Sequence, residues 1–182
     1  MKNITLILLI LLFLIGCKEN TGQNNISEVV KSFVGKELVL PDSLEIFYPK
    51  NFEIDEYFMD YTVAVVAFID GNCSKCAEDI LKWGNFIKTH QMCEEVSFCF
   101  YVGADSYWSL ENFMNKNKIP FPIFKDPQKK FIRQNNLHSN SMFHSFLLID
   151  KKIVLIGNPM KYEKILDLYM QEMRKELECE SY

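Results

Sequence analysis

TVAVVAFIDGNCSKCAEDILKW, residues 62 to 83, changes its periodicity in the middle, and that change fixes the kind of domain this chain forms. Thr62–Ile69 is an almost unbroken apolar and β-branched run, the pattern of a strand buried on both faces of a central sheet. After Asn72 the apolar residues fall at Cys76, Ile80, Trp83 and Ile87, with Ala77, Leu81 and Gly84 beside them, which is helical spacing. Cys73 therefore stands at or just before a helix start. Asn72 is the expected cap, and Cys76 lies in the first turn on the buried side.

Outward from this stretch the order is β-α-β-α-β-(short α)-β-β-α. Glu37–Leu40 and Leu44–Phe47 are short extended candidates separated by Pro41-Asp42-Ser43, a turn signal. Val96–Val102 reads as a second buried strand. Tyr107–Asn117 reads as a helix, and Phe121–Phe124 as a short strand limited by Pro120 and Pro122. Pro127 is expected to open a helix running to about Gln134. Phe146–Ile149 and Ile153–Ile156 flank Asp150-Lys151-Lys152 as a hairpin. Tyr162–Leu177 reads as a last helix, with Tyr162, Ile165, Leu166, Tyr169, Met173 and Leu177 on its apolar side. Alternating strands and helices, then a hairpin and helix, predict an α/β sandwich around a mixed sheet.

The amino end carries Lys2, an apolar run Ile4–Ile15 and then Gly16-Cys17. The run is shorter than the ~20 residues a membrane span needs, and its charge and length suit an export signal. Leu14-Ile15-Gly16-Cys17 resembles the lipobox of bacterial lipoproteins. That resemblance implies cleavage before Cys17, acylation of Cys17 and a bacterial envelope location, anchored to membrane and facing the periplasm or cell surface. Residues 1–16 are then the signal peptide, 17–32 a polar tether and 33–182 one domain.

The chain has 20 Lys and Arg against 24 Asp and Glu, a formal net charge of −4. Basic residues are not clustered, so nucleic acid is not an expected partner. Fifteen Phe and eight Tyr indicate a packed core rather than disorder. A monomer is expected.

Two cysteines two residues apart admit three uses: disulfide exchange, metal binding or structural packing. Exchange needs a thiolate, a reachable partner sulfur and a second thiol to release the product. A helix N-terminus lowers a thiol pKa, and Lys75 adds a positive charge. Cys73 would attack, and Cys76, one turn inside, would resolve. Zinc would ask for four ligands, and no second CxxC or His pair is present to supply them. Copper(I) on Cys73, Cys76 and a facing histidine is the metal alternative. Cys99 reads as a buried core thiol. Cys93 and Cys179 read as bystanders, and His90 and His138 as loop surface.

The buried strand, the Cys73-Ser74-Lys75-Cys76 pair opening a helix, and SFLLID running into a hairpin resemble the thioredoxin superfamily. FVGKELVLPDSLEIF resembles the N-terminal β extension of its membrane-anchored thiol–disulfide oxidoreductases, the TlpA/ResA type. The resemblance implies a thioredoxin-like sandwich, a central mixed sheet flanked by helices. It implies a redox-active disulfide with no other cofactor, and protein thiols or disulfides as substrates, with reduction as the direction. Peroxidase activity is a weaker expectation, since no peroxidatic Thr/Cys arrangement is visible. Asn72 stands where the family usually has Trp, and Ala67 where it often has a buried carboxylate. His144 stands where the family carries a cis-proline opposite the cysteines. His144 is thus expected in the substrate groove, on a trans peptide bond, as a pKa-tuning group or as the third ligand of the copper alternative.

Overall fold

The computed structural model describes residues 21–50, 62–72, 74–90 and 96–177. Cys17, Cys73, Cys93 and Cys179 lie outside them, as does the signal segment. Contacts divide the chain between Ser32 and Phe33.

The first unit contributes helix α1, Thr21–Phe33. The stretch 17–32, expected as a tether, therefore carries a helix from Thr21. Ile26, Val29, Val30 and Phe33 recur at helical spacing, and Lys31 lies in the last turn, where a cation suits the dipole.

The second unit is built on a six-stranded sheet in the order β1-β4-β3-β2-β5-β6. Its strands are β1 Glu45–Phe47, β2 Val63–Asp70, β3 Val96–Gly103, β4 Ile123–Lys125, β5 Ser145–Ile149 and β6 Lys152–Ile156. β2 pairs parallel with β3, and β3 parallel with β4, while β1, β5 and β6 join antiparallel. The helices are α2 Ser74–Thr89, α3 Trp108–Lys116, α4 Lys130–Gln134 and α5 Glu163–Glu176. The expected mixed α/β sandwich is present. Among the described residues no helix is long and apolar enough to cross a membrane.

β3 is buried along its whole length and β2 nearly so, which is why both read as unbroken apolar runs. One sheet face presents Val65, Ala67, Phe100, Val102, Ile123 and Leu147 to Trp83, Ile80, Tyr169 and Met173. Trp83 meets Phe100 and Phe86 edge-on, at ring distances of 5.2 and 5.9 Å. On the other face Tyr101 stacks against Phe124 and Phe131, at 5.0 and 4.5 Å. Large aromatic side chains thus fix α2 and α5 to one face and α4 to the other.

Four local readings are corrected. Glu37–Leu40 is not a strand: only Glu37 makes a bridge, to Lys152. The Asn135 side chain accepts from Val39 N–H at 2.7 Å and donates to Val39 C=O at 2.8 Å, so an amide does the work of a pairing strand. Pro127 opens a turn rather than a helix. Lys129 sits at φ 51°, and α4 starts only at Lys130, held by the fully buried Asp126. The two Asp126 oxygens accept from Lys130 N–H and Phe131 N–H, each at 2.8 Å. Phe121–Phe124 shifts to Ile123–Lys125. Finally, Tyr162 is not on the buried side of the last helix: it precedes α5 and is exposed.

The hairpin β5–β6 turns on Asp150 and Lys151, at φ 49° and 66°. Positive φ at both central residues is what a two-residue turn matched to strand twist needs. Along the outer edge of β6, Gly35 N–H donates to Ile153 C=O and Ile153 N–H donates to Lys36 C=O, both at 2.8 Å.

Candidate active site

β2, β3, β4 and β6 all end at one edge of the sheet, and antiparallel β5 begins there. The connections 71–72, 104–107, 126–129, 135–144 and 157–162 therefore meet at this edge. α2 begins here, at Ser74, the residue after Cys73. Lys75 and Cys76 are described as backbone of its first turn.

Two glycines let the first two connections touch. Gly71 N–H donates to Gly103 C=O at 2.7 Å. A Cβ on Gly71 would lie 2.9 Å from Ala104 Cβ, and one on Gly103 would lie 2.8 Å from Phe68 Cζ. Neither strand exit tolerates a side chain without a shift.

The Asn72 side chain reaches across to the neighbouring connection through its oxygen. That oxygen accepts from Asp105 N–H at 2.9 Å and ties the residue to the β3–α3 connection. Its own N–H donates to Asp70 Oδ1 at 3.1 Å. The other Asp70 oxygen meets Lys129 Nζ at 3.4 Å.

Beside this loop lies a cleft of about 480 Å³, lined among others by Phe68, Asp70, Asp79, His138, His144 and Lys161. His144 ends the short 3-10 turn Ser141–Phe143 and immediately precedes β5. Its carbonyl accepts from Phe68 N–H at 2.9 Å, pinning it to β2. Its ring meets Phe68 edge-on at 5.9 Å. Nε2 lies 2.7 Å from the His138 carbonyl oxygen, which can only accept, so Nε2 carries the hydrogen. Burial pushes the His144 pKa below its ordinary value; the His138 carbonyl and Asp70 oppose this, and His138 and Lys161 reinforce it. The peptide bond before His144 is trans, and no cis bond occurs among the described residues.

His138 is not idle loop surface. Its carbonyl holds His144, and its Nδ1 accepts from Asn140 N–H at 3.0 Å, so its hydrogen sits on Nε2. Asp79, which the sequence reading passed over, also lines the cleft. It is three residues beyond Cys76 along α2. Its side chain is only 14% exposed and meets Lys161 Nζ at 3.2 Å. The i, i+3 spacing from Cys76 was the available signal for Asp79, whereas nothing local pointed to Lys161. Among the described residues no group of three His, Cys, Asp or Glu is arranged to hold a metal ion.

Cys99 lies on β3, fully buried and free, and burial pushes its thiol up to about 12. It stays protonated at neutral pH and is poorly nucleophilic.

The arrangement of this chain is matched in solved structures at the level of the fold. A thioredoxin-like protein in its oxidised form aligns at TM-score 0.55 and 13% identity, over 78% of this chain and 98% of that one. The fold is thioredoxin-like. A PrxQ mutant from Xylella fastidiosa aligns at TM-score 0.54 and 18% identity, over 76% of this chain and 96% of its own. StoA from Bacillus subtilis aligns at 0.50 and 20%, over 71% and 99%. At these identities the thioredoxin-like likeness is one of fold. No family model and no curated protein matches the sequence.

Proposed function

We propose that the chain is a thiol–disulfide oxidoreductase, lipid-anchored through Cys17 outside the cytoplasm, which exchanges disulfides through Cys73 and Cys76 and acts as a reductase. The observation that carries this reading is the start of α2 at Ser74, directly after Cys73, in a thioredoxin-like fold. A thiol at a helix N-terminus meets unpaired N–H groups and the positive end of the dipole, both of which favour thiolate.

In this reading the Cys73 thiolate attacks one sulfur of a substrate disulfide and releases the other as thiolate. Cys76 then attacks Cys73 in the mixed disulfide. The substrate leaves with two electrons gained, and the Cys73–Cys76 disulfide is left for an external dithiol to reduce. His144 and Lys75 flank the exchange. With Nε2 committed to His138, His144 offers its Nδ1 lone pair to the groove. Asp79 and Lys161 form a paired carboxylate and ammonium next to the resolving position.

The test is turnover of a protein disulfide by the reduced protein. Cys73→Ser should abolish it, and Cys76→Ser should accumulate a mixed disulfide through Cys73. Peroxide consumption without disulfide turnover would favour the peroxidase reading instead. Stoichiometric Cu(I) uptake lost in His144→Ala, again without turnover, would favour the metal reading of Cys73, Cys76 and His144.

A further inference from the structure

We propose that Trp108 is a docking anchor for a protein partner, the polypeptide whose disulfide or thiol is exchanged; this inference rests on the exchange reading above. Trp108 is 74% exposed, the most open of the large apolar side chains on the described surface. An indole left in water at this level has no packing role in the monomer. Buried in an interface it removes about 150–250 Å² from water, and Trp is prominent among residues that carry binding energy.

Its position is what gives it a partner. Trp108 opens α3, three residues beyond Asp105, so its Cα lies within about 11 Å of Asp105. The Asp105 N–H bonds the side chain of Asn72, the residue before Cys73. A surface that covers the start of α2 therefore reaches the indole as well.

The backbone that carries the indole is also held in advance. Tyr107 Oη donates to Val102 C=O at 2.8 Å and accepts from Ala104 N–H at 3.3 Å. Asn112 Nδ2 donates to Trp108 C=O at 2.9 Å. An anchor on a fixed loop costs less ordering on binding than one on a free loop.

The neighbouring charges select a polypeptide over a small anionic thiol. Lys129 and Lys161, the lysines of the described cleft lining, are already matched by Asp70 and Asp79. What remains open for contact is the hydroxyls of Ser139 and Ser141, the imidazoles and the exposed indole. Neutral hydrogen-bonding groups near an aromatic anchor, with the lysines of the described cleft lining already paired, match the interior of a protein–protein interface. Tyr162 is exposed on the opposite flank, next to the Lys161 that reaches Asp79, and would add a second, weaker contact.

The experiment compares kcat/KM for a protein substrate, insulin, with that for a small neutral one, hydroxyethyl disulfide, using the full chain. Trp108→Ala should lower kcat/KM for insulin about tenfold or more, the loss expected of an interface hot spot. It should leave hydroxyethyl disulfide within twofold. Trp108→Phe should restore most of the insulin rate. Leu168→Ala, which removes another exposed apolar side chain, 46% open, on α5, should change neither. Equal losses on both substrates, or no loss on insulin, would overturn the docking role while leaving exchange intact. A wild-type protein inert toward both would remove the exchange reading, and the docking role with it.

Discussion

Asp126 and Asp70 stand at the same edge of the sheet, one directly after β4 and the other at the end of β2, yet they have opposite fates. Asp126 is fully buried, and both its oxygens are taken by N–H groups of α4. Asp70 is half-exposed, touches one backbone N–H at 3.1 Å and reaches Lys129 only at 3.4 Å. A carboxylate whose acceptor sites are filled by its own backbone is a fastener. One that shares its oxygens with a mobile ammonium and the opening of a cleft can still answer to a visitor. Cys99, sealed in β3, falls on the fastened side of the same contrast.

Replacing Asp126 should produce the largest loss. Asp126→Ala leaves one buried and one part-buried N–H without an acceptor and should cost about 3 kcal/mol. Urea unfolding would measure this, with Cys73 alkylation by iodoacetamide unchanged under conditions where the variant remains folded. A loss below about 1 kcal/mol would mean that water replaces the carboxylate and that the two aspartates differ less than their geometry suggests.

Gly71→Ala comes next, at about 1–3 kcal/mol, because the new methyl must displace Ala104 or Val102. It should also alter the Cys73 alkylation rate, since Gly71 sets the approach of the two connections. A change in stability with no change in that rate would separate the fastening of the edge from its chemistry.

Lys129→Ala should cost under about 1 kcal/mol, the range for a solvent-screened pair, and yet shift Cys73 reactivity through the freed Asp70. Cys99, in contrast, should resist alkylation in the folded protein even at pH 9, its thiol having been raised to about 12 by burial. Mass spectrometry of the alkylated peptides reads both outcomes in one experiment.

The smallest effect concerns His144. Its folded pKa is depressed by burial, so below about pH 6.5 the unfolded chain takes up a proton that the folded one refuses. Stability should therefore fall as pH drops below that value and stop falling once the folded imidazole is also charged. His144→Gln should flatten this part of the pH profile, as measured by denaturant midpoints at pH 7.5 and 5.5.

What the sequence made legible follows from how local each cause is. β2, β3 and the opening of α2 were readable because burial on two faces, or on one helical face, writes itself into consecutive residues. Val39 paired by Asn135 was not, because its partner lies 96 positions away and is a side chain. The late start of α4 was missed because Pro127 is an ordinary helix opener, and only the buried Asp126 and the left-handed Lys129 say otherwise. In the cleft, His144 was found by counting back from a strand. Lys161 was beyond reach, since its carboxylate partner comes from a helix more than eighty residues earlier. The tie from Asn72 to Asp105 was out of reach for the same reason, since the two residues lie on different connections 33 positions apart.

The strap of residues 35–37 along β6 carries a consequence for self-association. An outermost strand with free amides and carbonyls is a template on which a second copy can add its own strand and begin a fibril. Here the amide and carbonyl of Ile153 are both occupied by Gly35 and Lys36, and Lys152 is bridged to Glu37. The strap works as a guard rail on that margin, and a chain trimmed past Glu37 would be expected to clump where the intact one stays dispersed.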